Sequence, residues 1–168
     1  AGDASLVLRL KEDYDGAEPT PSSVAALNLL RLAAMLEPAG DGMTYRDRGL
    51  LTIKALRAQW SKSPQALPQL LCAVELALEP PRHVVLAGDP AAADFRALAA
   101  VLHEGLGPRR ALLAADGGAG QRWLAERAPW LAEMRPVNGR ATAFVCEHFT
   151  CQAPVTAPAD LRNLLTGR

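Results

Sequence analysis

The chain has 168 residues, of which 49% are hydrophobic and 21% charged, a composition typical of a soluble globular protein. Its 18 basic and 18 acidic residues cancel, and no basic patch of the kind that binds nucleic acid is present. No apolar run reaches the roughly 18 residues that cross a membrane. We therefore expect neither a nucleic-acid partner nor a membrane partner.

The start of the chain lacks an initiator Met and the basic-then-apolar order of a secretory signal. Residues 5–10 are already an apolar run, so we expect a fragment or a processed product of a longer protein. Three cysteines, an odd number without a signal, favour free thiols in a reducing cytoplasm over a disulfide scaffold.

The first half of the chain, residues 1–80, has the apolar spacing of helices. After a loop, Pro21 starts a helix that is apolar nearly all round and must be covered on every side. The next helix, over residues 45–62, has one apolar stripe that includes Leu50, and the third, over residues 64–78, is again mostly apolar. This order of inner, outer and inner helices predicts stacked helical hairpins, as in part of an α/α toroid.

The second half, residues 81–168, alternates strand and helix patterns and is set off by the helix-breaking pair Pro80-Pro81. Three short apolar strands alternate with three amphipathic helices, at residues 82–87, 92–106, 110–115, 120–134, 142–146 and 159–165. Such an order predicts right-handed crossovers and a small, three-stranded, mainly parallel sheet. The predicted fold class is therefore mixed: a partial toroid of helical hairpins, then a small α/β domain.

The ends of the predicted strands carry polar side chains. Asp89 and Asp116 follow the first two strands, and the third ends with the Cys146 thiol and the His148 imidazole. In a parallel sheet these groups would share the edge where ligands bind. The alternative is that the two aspartates only form turns, as Asp-Pro and Asp-Gly pairs often do. The loop at residues 116–120 is glycine-rich but lacks the spacing of a phosphate-binding motif.

Cys146 and Cys151 lie five residues apart with His148 between them. This is not the CxxC spacing of zinc knuckles or of thioredoxin-type redox sites, and we expect no metal and no other cofactor. Two interpretations remain. The pair consists of two small buried hydrophobes, or it forms a reversible disulfide, which requires Cα atoms within about 7 Å.

The loop before the first long helix carries Asp13, Asp15 and Glu18 beside Tyr14. Paired carboxylates with an aromatic residue are typical of sugar binding and of general acid–base chemistry. The alternative is a solvated turn with a helix cap. Asp15 and Glu18 are the candidate catalytic residues.

Several motifs resemble the spermatogenesis-associated protein 20 and thioredoxin-domain-containing family. They are, in the same order as in that family, DGAEPTPSSVAALNLLRL at residues 15–32, QALPQLL at 65–71, MRPVNGR at 134–140 and CEHFTCQAPV at 146–155. The family has a thioredoxin-like domain first, followed by helices that resemble the six-hairpin glycosidase toroids. The resemblance covers nearly the whole chain.

The resemblance implies that this chain is the C-terminal portion of a multidomain protein. Its partner would be the missing N-terminal part, which comprises the thioredoxin-like domain and the remaining toroid helices. A carbohydrate-related role follows from fold analogy, with a small molecule or sugar as ligand. Asp15, Glu18 and Asn28 would then lie near a cavity, and this segment would hold no complete active site.

Two other functions stay open at this point. One is a thiol-redox segment in which Cys146 and Cys151 cycle as a pair. The other is a small α/β module that binds its ligand near Asp89 and Asp116.

Overall fold

The computed structural model describes residues 14–36, 43–105, 107, 109–147 and 150–166. These residues form two compact units, one of residues 14–30 and 43–78 and the other of residues 31–36 and 79–166. Within the described ranges, no helix is long and apolar enough to cross a membrane.

The first unit is helical. Its helices are α1 (Pro21–Met35, whose last residues fall in the second unit), α2 (Tyr45–Ala55), α3 (Arg57–Lys62) and α4 (Pro68–Leu78), with a 3₁₀ turn at Pro64–Ala66. The helix predicted over residues 45–62 is interrupted at Leu56. The carbonyl of Ile53 there accepts from the Leu56 amide at 3.2 Å and from the Trp60 indole N–H at 3.1 Å, which tightens the chain locally.

The core of the first unit lies between α1, α2 and α4. Its buried residues are Ala26, Leu27, Leu30, Ile53, Leu67, Leu70, Ala73 and Leu76. Helix α2 faces α1 through Gly49, where an added Cβ would lie 3.1 Å from Cγ of Leu30. Leu50, predicted to lie in the buried stripe, is therefore exposed, because the close approach at Gly49 turns it outward.

The second unit contains a mixed four-stranded sheet in the order β2-β1-β3-β4. The strands are β1 (Arg82–Ala87), β2 (Arg110–Ala115), β3 (Thr142–Glu147) and β4 (Thr150–Cys151). Only β1 and β2 are parallel, whereas β3 runs antiparallel to both β1 and β4. The prediction of three mainly parallel strands is thus wrong in strand number and in the direction of β3.

The reversed direction of β3 follows from the segment before it. A parallel β3 would need a connection that returns to the edge where β1 starts. Instead, Asn138 and Gly139 form a tight turn with φ of 52° and 70°, closed by the Arg140 amide donating to Val137 at 3.0 Å. The chain therefore enters β3 where β1 ends, and Thr142 pairs with Ala87.

Both faces of the central strands β1 and β3 are covered within the second unit, whereas Leu112 of β2 is 40% exposed. Val84, Leu86 and Val145 pack against α5 (Ala93–Leu102) and α7 (Pro158–Thr166). The alternate residues Val85 and Ala87 face the opposite side, with Leu124 of α6 (Ala119–Ala125) and Leu131 of the 3₁₀ helix Pro129–Glu133. Burial on both faces explains why the sequence of β1 is continuously apolar from Val84 to Ala87.

Candidate functional site

The Asp15 carboxylate lies at the N-terminus of α4. Its Oδ2 accepts hydrogen bonds from the amides of Gln69 at 3.0 Å and Leu70 at 3.2 Å, and its Oδ1 accepts from the Thr20 amide at 2.8 Å. The Asp15 amide donates to the carbonyl of Ala66 at 2.7 Å. The first amides of a helix have no partner within the helix, so a carboxylate there satisfies them and interacts favourably with the helix dipole.

Burial and hydrogen bonding act in opposite directions on the pKa of Asp15. Burial alone raises the pKa of this carboxyl. The hydrogen bonds from the Thr20 amide, the Ser23 side chain and the Leu70 amide outweigh burial and hold the pKa below its ordinary value. Both oxygens are occupied by backbone amides, so the geometry suits a charged cap rather than a group that exchanges protons with a substrate.

The other two residues expected near a sugar, Glu18 and Asn28, are exposed. Thr20 caps α1 instead: its Oγ1 accepts from the Ser23 amide at 3.2 Å and donates to the Ser23 hydroxyl at 2.8 Å. The loop is therefore tied to α1 through Thr20 and to α4 through Asp15.

The sequence predicted that Asp89, Asp116 and the end of the third strand lie at one edge of the sheet. In the structure they lie at two opposite ends. Because β3 is antiparallel, Cys146 at its end pairs with His83 near the start of β1, at the opposite end of the sheet from Asp89 and Asp116. His148 lies outside the described residues. The proposed grouping of carboxylates and thiol at one edge is therefore wrong.

Asp89 and Asp116 themselves have the geometry of turn formers. Oδ1 of Asp89 accepts from the Ala91 amide at 2.8 Å, and Oδ1 of Asp116 accepts from the Gly118 amide at 2.8 Å. The Gly117 amide donates to Oε1 of Gln121 at 2.7 Å. Two amides of the glycine loop that a phosphate would need are thus already used.

The carboxylate that organises this edge is Asp94, which the sequence reading missed. Its Oδ2 accepts from the Ala141 amide at 2.8 Å and its Oδ1 from the Phe95 amide at 2.9 Å. The Ala141 hydrogen bond chiefly holds the pKa of Asp94 below its ordinary value, against a smaller effect of burial. Two sequence signals could have identified this contact: an Asp in the first turn of the predicted helix, and the Asn138-Gly139 pair just before the third strand.

Cys146 and Cys151 are joined by a disulfide, with Cα atoms 3.9 Å apart. They are directly opposite in the register of β3 and β4. The expectation of free thiols is wrong for this pair, and the odd cysteine count no longer argues for a reducing compartment. The remaining cysteine, Cys72, is free and exposed on α4.

His83, also missed at the sequence level, lies beside this disulfide. It pairs with Cys146 on β1, so the residues His83, Cys146 and Cys151 form one row across β1, β3 and β4. The His83 ring meets Trp130 edge-on at 5.5 Å between centroids, and its Nε2 contacts the carbonyl oxygen of Ala34. A carbonyl only accepts, so Nε2 carries the proton and Nδ1 is the basic nitrogen of the neutral ring.

Metal binding requires several ligands on one ion. In the described part of the chain, no group of three or more His, Cys, Asp or Glu side chains is placed to hold one.

Nearly the whole chain aligns with part of several longer proteins. Spermatogenesis-associated protein 20 of Homo sapiens is 36% identical over 96% of this chain, and its Rattus norvegicus counterpart is 36% identical over 95%. An uncharacterised protein of Caenorhabditis elegans is 26% identical over 96% of the chain.

The chain spans 20% of the length of the human and rat relatives and 21% of that of the nematode protein. No family model matches the chain, and no solved structure matches it. The chain therefore aligns with only a portion of a larger protein, as the family resemblance of its motifs implies. Over nearly its whole length, this chain is therefore similar to a segment of spermatogenesis-associated protein 20.

Proposed function

We propose that this chain is the C-terminal part of a multidomain protein with a thioredoxin-like domain and an α/α toroid. Its role is to complete the toroid, and it contains no complete active site. The observation that carries this proposal is the apolar surface of the helical unit. Val24 of α1 is 37% exposed, Leu51 of α2 is 49% exposed, and Leu78 of α4 is 81% exposed.

Single exposed apolar side chains are normal on protein surfaces, so their number alone does not require a partner. Helix α1 supplies the stronger argument, because it is apolar nearly all round. It buries Ala26, Leu27 and Leu30, whereas Val24 and Ala25 stay exposed. A helix with apolar residues on opposite faces is stable when both faces are covered. The aligned region is 20% of the human relative, and in our proposal the cover comes from the rest of such a longer chain.

A carbohydrate-related activity of the assembled protein is the finer part of this proposal. Glu18 and Asn28 are exposed and are therefore accessible to a ligand, whereas Asp15 would position their loop. Under this view the remaining catalytic groups come from the helices that precede this chain.

Association with the preceding part of the same polypeptide tests the structural role. The two parts, expressed separately, are mixed and analysed by size-exclusion chromatography and calorimetry. We expect a stable complex that Val24→Glu combined with Leu51→Glu weakens by more than about tenfold, or ~1.4 kcal/mol. Leu112→Glu is the matched control, since Leu112 is a 40% exposed leucine of the second unit.

Two results would contradict the proposal: no complex between the intact parts, or a complex that the double substitution leaves as tight as the control does. The carbohydrate part has a separate readout. The complex is titrated with a panel of monosaccharides and disaccharides by calorimetry, with and without Glu18→Gln. Absence of binding by every sugar would remove the carbohydrate role and leave the structural role intact.

A further inference from the structure

We propose that the Cys146–Cys151 disulfide is a thiol–disulfide exchange site whose substrate is a dithiol, either a small molecule or a protein. This inference does not depend on the role proposed above. It rests on the unequal exposure of the two cysteine residues and on the short strand that carries Cys151. Cys146 is 6% exposed, whereas Cys151 is exposed on the two-residue strand β4 at the end of the strand order.

The difference in exposure decides which sulfur an incoming thiolate attacks. Exchange proceeds by attack of a thiolate on one sulfur of the bridge, and its rate depends on access to that sulfur. Cys151 offers this access, while Cys146 is buried in β3 between β1 and β4. Attack at Cys151 makes Cys146 the leaving group.

The leaving sulfur departs beside a histidine. His83 is directly opposite Cys146 in register, and such neighbours have Cβ atoms about 4.5–5.5 Å apart on one face of a sheet. The charged neighbours in sequence, Arg82 and Glu147, alternate to the other face, where they form an ion pair at 3.3 Å. A thiolate next to the polar imidazole ring is a better leaving group than one in a wholly apolar site, because a polar neighbour stabilises its charge.

The exchange is balanced in atoms and electrons with the dithiol as the only reductant. A thiolate of the dithiol bonds to Sγ of Cys151, the bond between Cys151 and Cys146 breaks, and the electron pair goes to Sγ of Cys146, which takes up a proton. The second thiol of the donor then attacks its own sulfur in the mixed disulfide and releases Cys151 as a thiol. The protein gains two electrons and two protons, and the donor becomes a disulfide.

Reduction removes the covalent link between β4 and β3. The links that remain between β3 and this segment include the pairing of Glu147 with Thr150, the Gln152 amide donating to Val145 at 2.9 Å, and the pairing of Ala143 with Val155. A two-residue strand at the edge of a sheet opens more readily than the central strands do. The reduced chain should therefore exchange the amides of Cys151 and Gln152 faster, while those of β1 and β2 stay protected.

The test uses the intact chain with Cys72→Ser, which removes the free exposed thiol. The oxidised protein is treated with dithiothreitol or with reduced thioredoxin at neutral pH, alkylated, and analysed by mass spectrometry and hydrogen exchange. We expect complete reduction while β1 and β2 remain protected, and a rise of more than about tenfold in exchange at Cys151 and Gln152. A bridge that is reduced only after denaturant unfolds the protein would overturn the proposal.

Single-cysteine variants in the same background test the direction of attack. The chain with Cys146→Ser, which keeps Cys151, should react with an aromatic disulfide at least about tenfold faster than the chain with Cys151→Ser. Equal rates, or a faster Cys146, would overturn the assignment of Cys151 as the attacked sulfur. If either variant fails to fold, reduction of the wild-type bridge still decides the proposal.

The role of His83 has its own readout. His83→Gln should slow reduction of the bridge by about tenfold, with the oxidised protein retaining the circular dichroism spectrum and the bridge. An unchanged rate would remove His83 from the exchange site.

Discussion

At the scale of single residues, Asp15 is the most constrained carboxylate of the helical unit. Three backbone amides donate to it, and two of them, from Gln69 and Leu70, are the otherwise unpartnered first amides of α4. Its charge is therefore part of the fold, since a charged acceptor at a helix N-terminus is stabilised by both the hydrogen bonds and the helix dipole.

We predict that Asp15→Ala lowers the free energy of unfolding by about 2–4 kcal/mol, because it removes a helix cap and leaves buried amides without an acceptor. Glu18→Ala in the same loop is the control and should change it by less than about 0.5 kcal/mol, since Glu18 is exposed. Urea denaturation followed by circular dichroism measures both. Equal effects of the two substitutions would contradict the capping role.

The stabilising effect of Asp15 should depend on pH. Its folded-state pKa is lowered, so the unfolded chain binds a proton more readily than the folded one as the solution is acidified. The stabilisation is then present above the unfolded-state pKa of about 3.9 and is lost as the pH falls through the folded-state value. We expect the difference in unfolding free energy between wild type and Asp15→Asn to shrink between pH 5 and the lowest pH at which the chain stays folded.

Denaturation of both proteins at several pH values measures this difference. A difference that grows on acidification would show that the carboxylate is not the stabilising species. Asp47, whose pKa is lowered first by the Thr44 side chain, titrates in both proteins and cancels in the comparison.

The role of Asp15 could be predicted only in part from the sequence. A turn with a helix cap was one of the two interpretations of this loop, and local spacing supports it. The helix that Asp15 caps, however, begins more than 50 residues later, since Gln69 is 54 positions away. A local sequence pattern cannot identify a partner at that sequence separation. The cap of α1, by contrast, can be predicted locally, because Thr20 and Ser23 are only three positions apart.

At the scale of elements, strand positions were predictable and the direction of β3 was not. The apolar runs over residues 82–87 and 110–115 coincide with β1, which is buried on both faces, and with β2, in which buried and exposed residues alternate. Alternation of strands and helices favours a parallel sheet, whereas the Asn138-Gly139 pair is a strong local signal for a tight reversal. The wrong strand direction also produced the wrong grouping of Cys146 with Asp89 and Asp116.

Gly88 is where β1 ends against the segment that enters β3. Its φ is +142°, and a Cβ there would lie 3.2 Å from both Cα and Cβ of Ala141. We predict that Gly88→Ala lowers the free energy of unfolding by about 2–4 kcal/mol, from backbone strain and overpacking together.

Gly120→Ala is the matched control for this substitution. Gly120 lies in α6 with no atom within 4 Å of an added Cβ, so alanine should stabilise the chain by up to about 1 kcal/mol through helix propensity. Thermal and urea denaturation of the two variants give the comparison. A Gly88→Ala variant as stable as Gly120→Ala would mean that the close approach to Ala141 does not exist in solution.

At the scale of the whole molecule, each unit has its own buried core, yet the helical unit leaves apolar side chains exposed on α1, α2 and α4. The apolar pattern predicted that α1 must be covered on every side, and the family resemblance implied the missing N-terminal part as the partner. The sequence could not tell which face would stay open, because that depends on which side of α1 the residues around Gly49 approach. Closure into a toroid remains a prediction.

The exposed side chains of Val24 and Leu51 give a prediction that separates the chain alone from the longer protein. In the chain alone, Val24→Glu with Leu51→Glu should change the free energy of unfolding by less than about 1 kcal/mol, because both side chains are already exposed. In the longer protein, where we propose that they are buried, the same pair should cost about 3 kcal/mol or more. Leu70→Ala, at a fully buried position, should cost about 2–5 kcal/mol in both. Equal small effects of the double substitution in both proteins would mean that this face stays exposed to solvent in the assembled molecule.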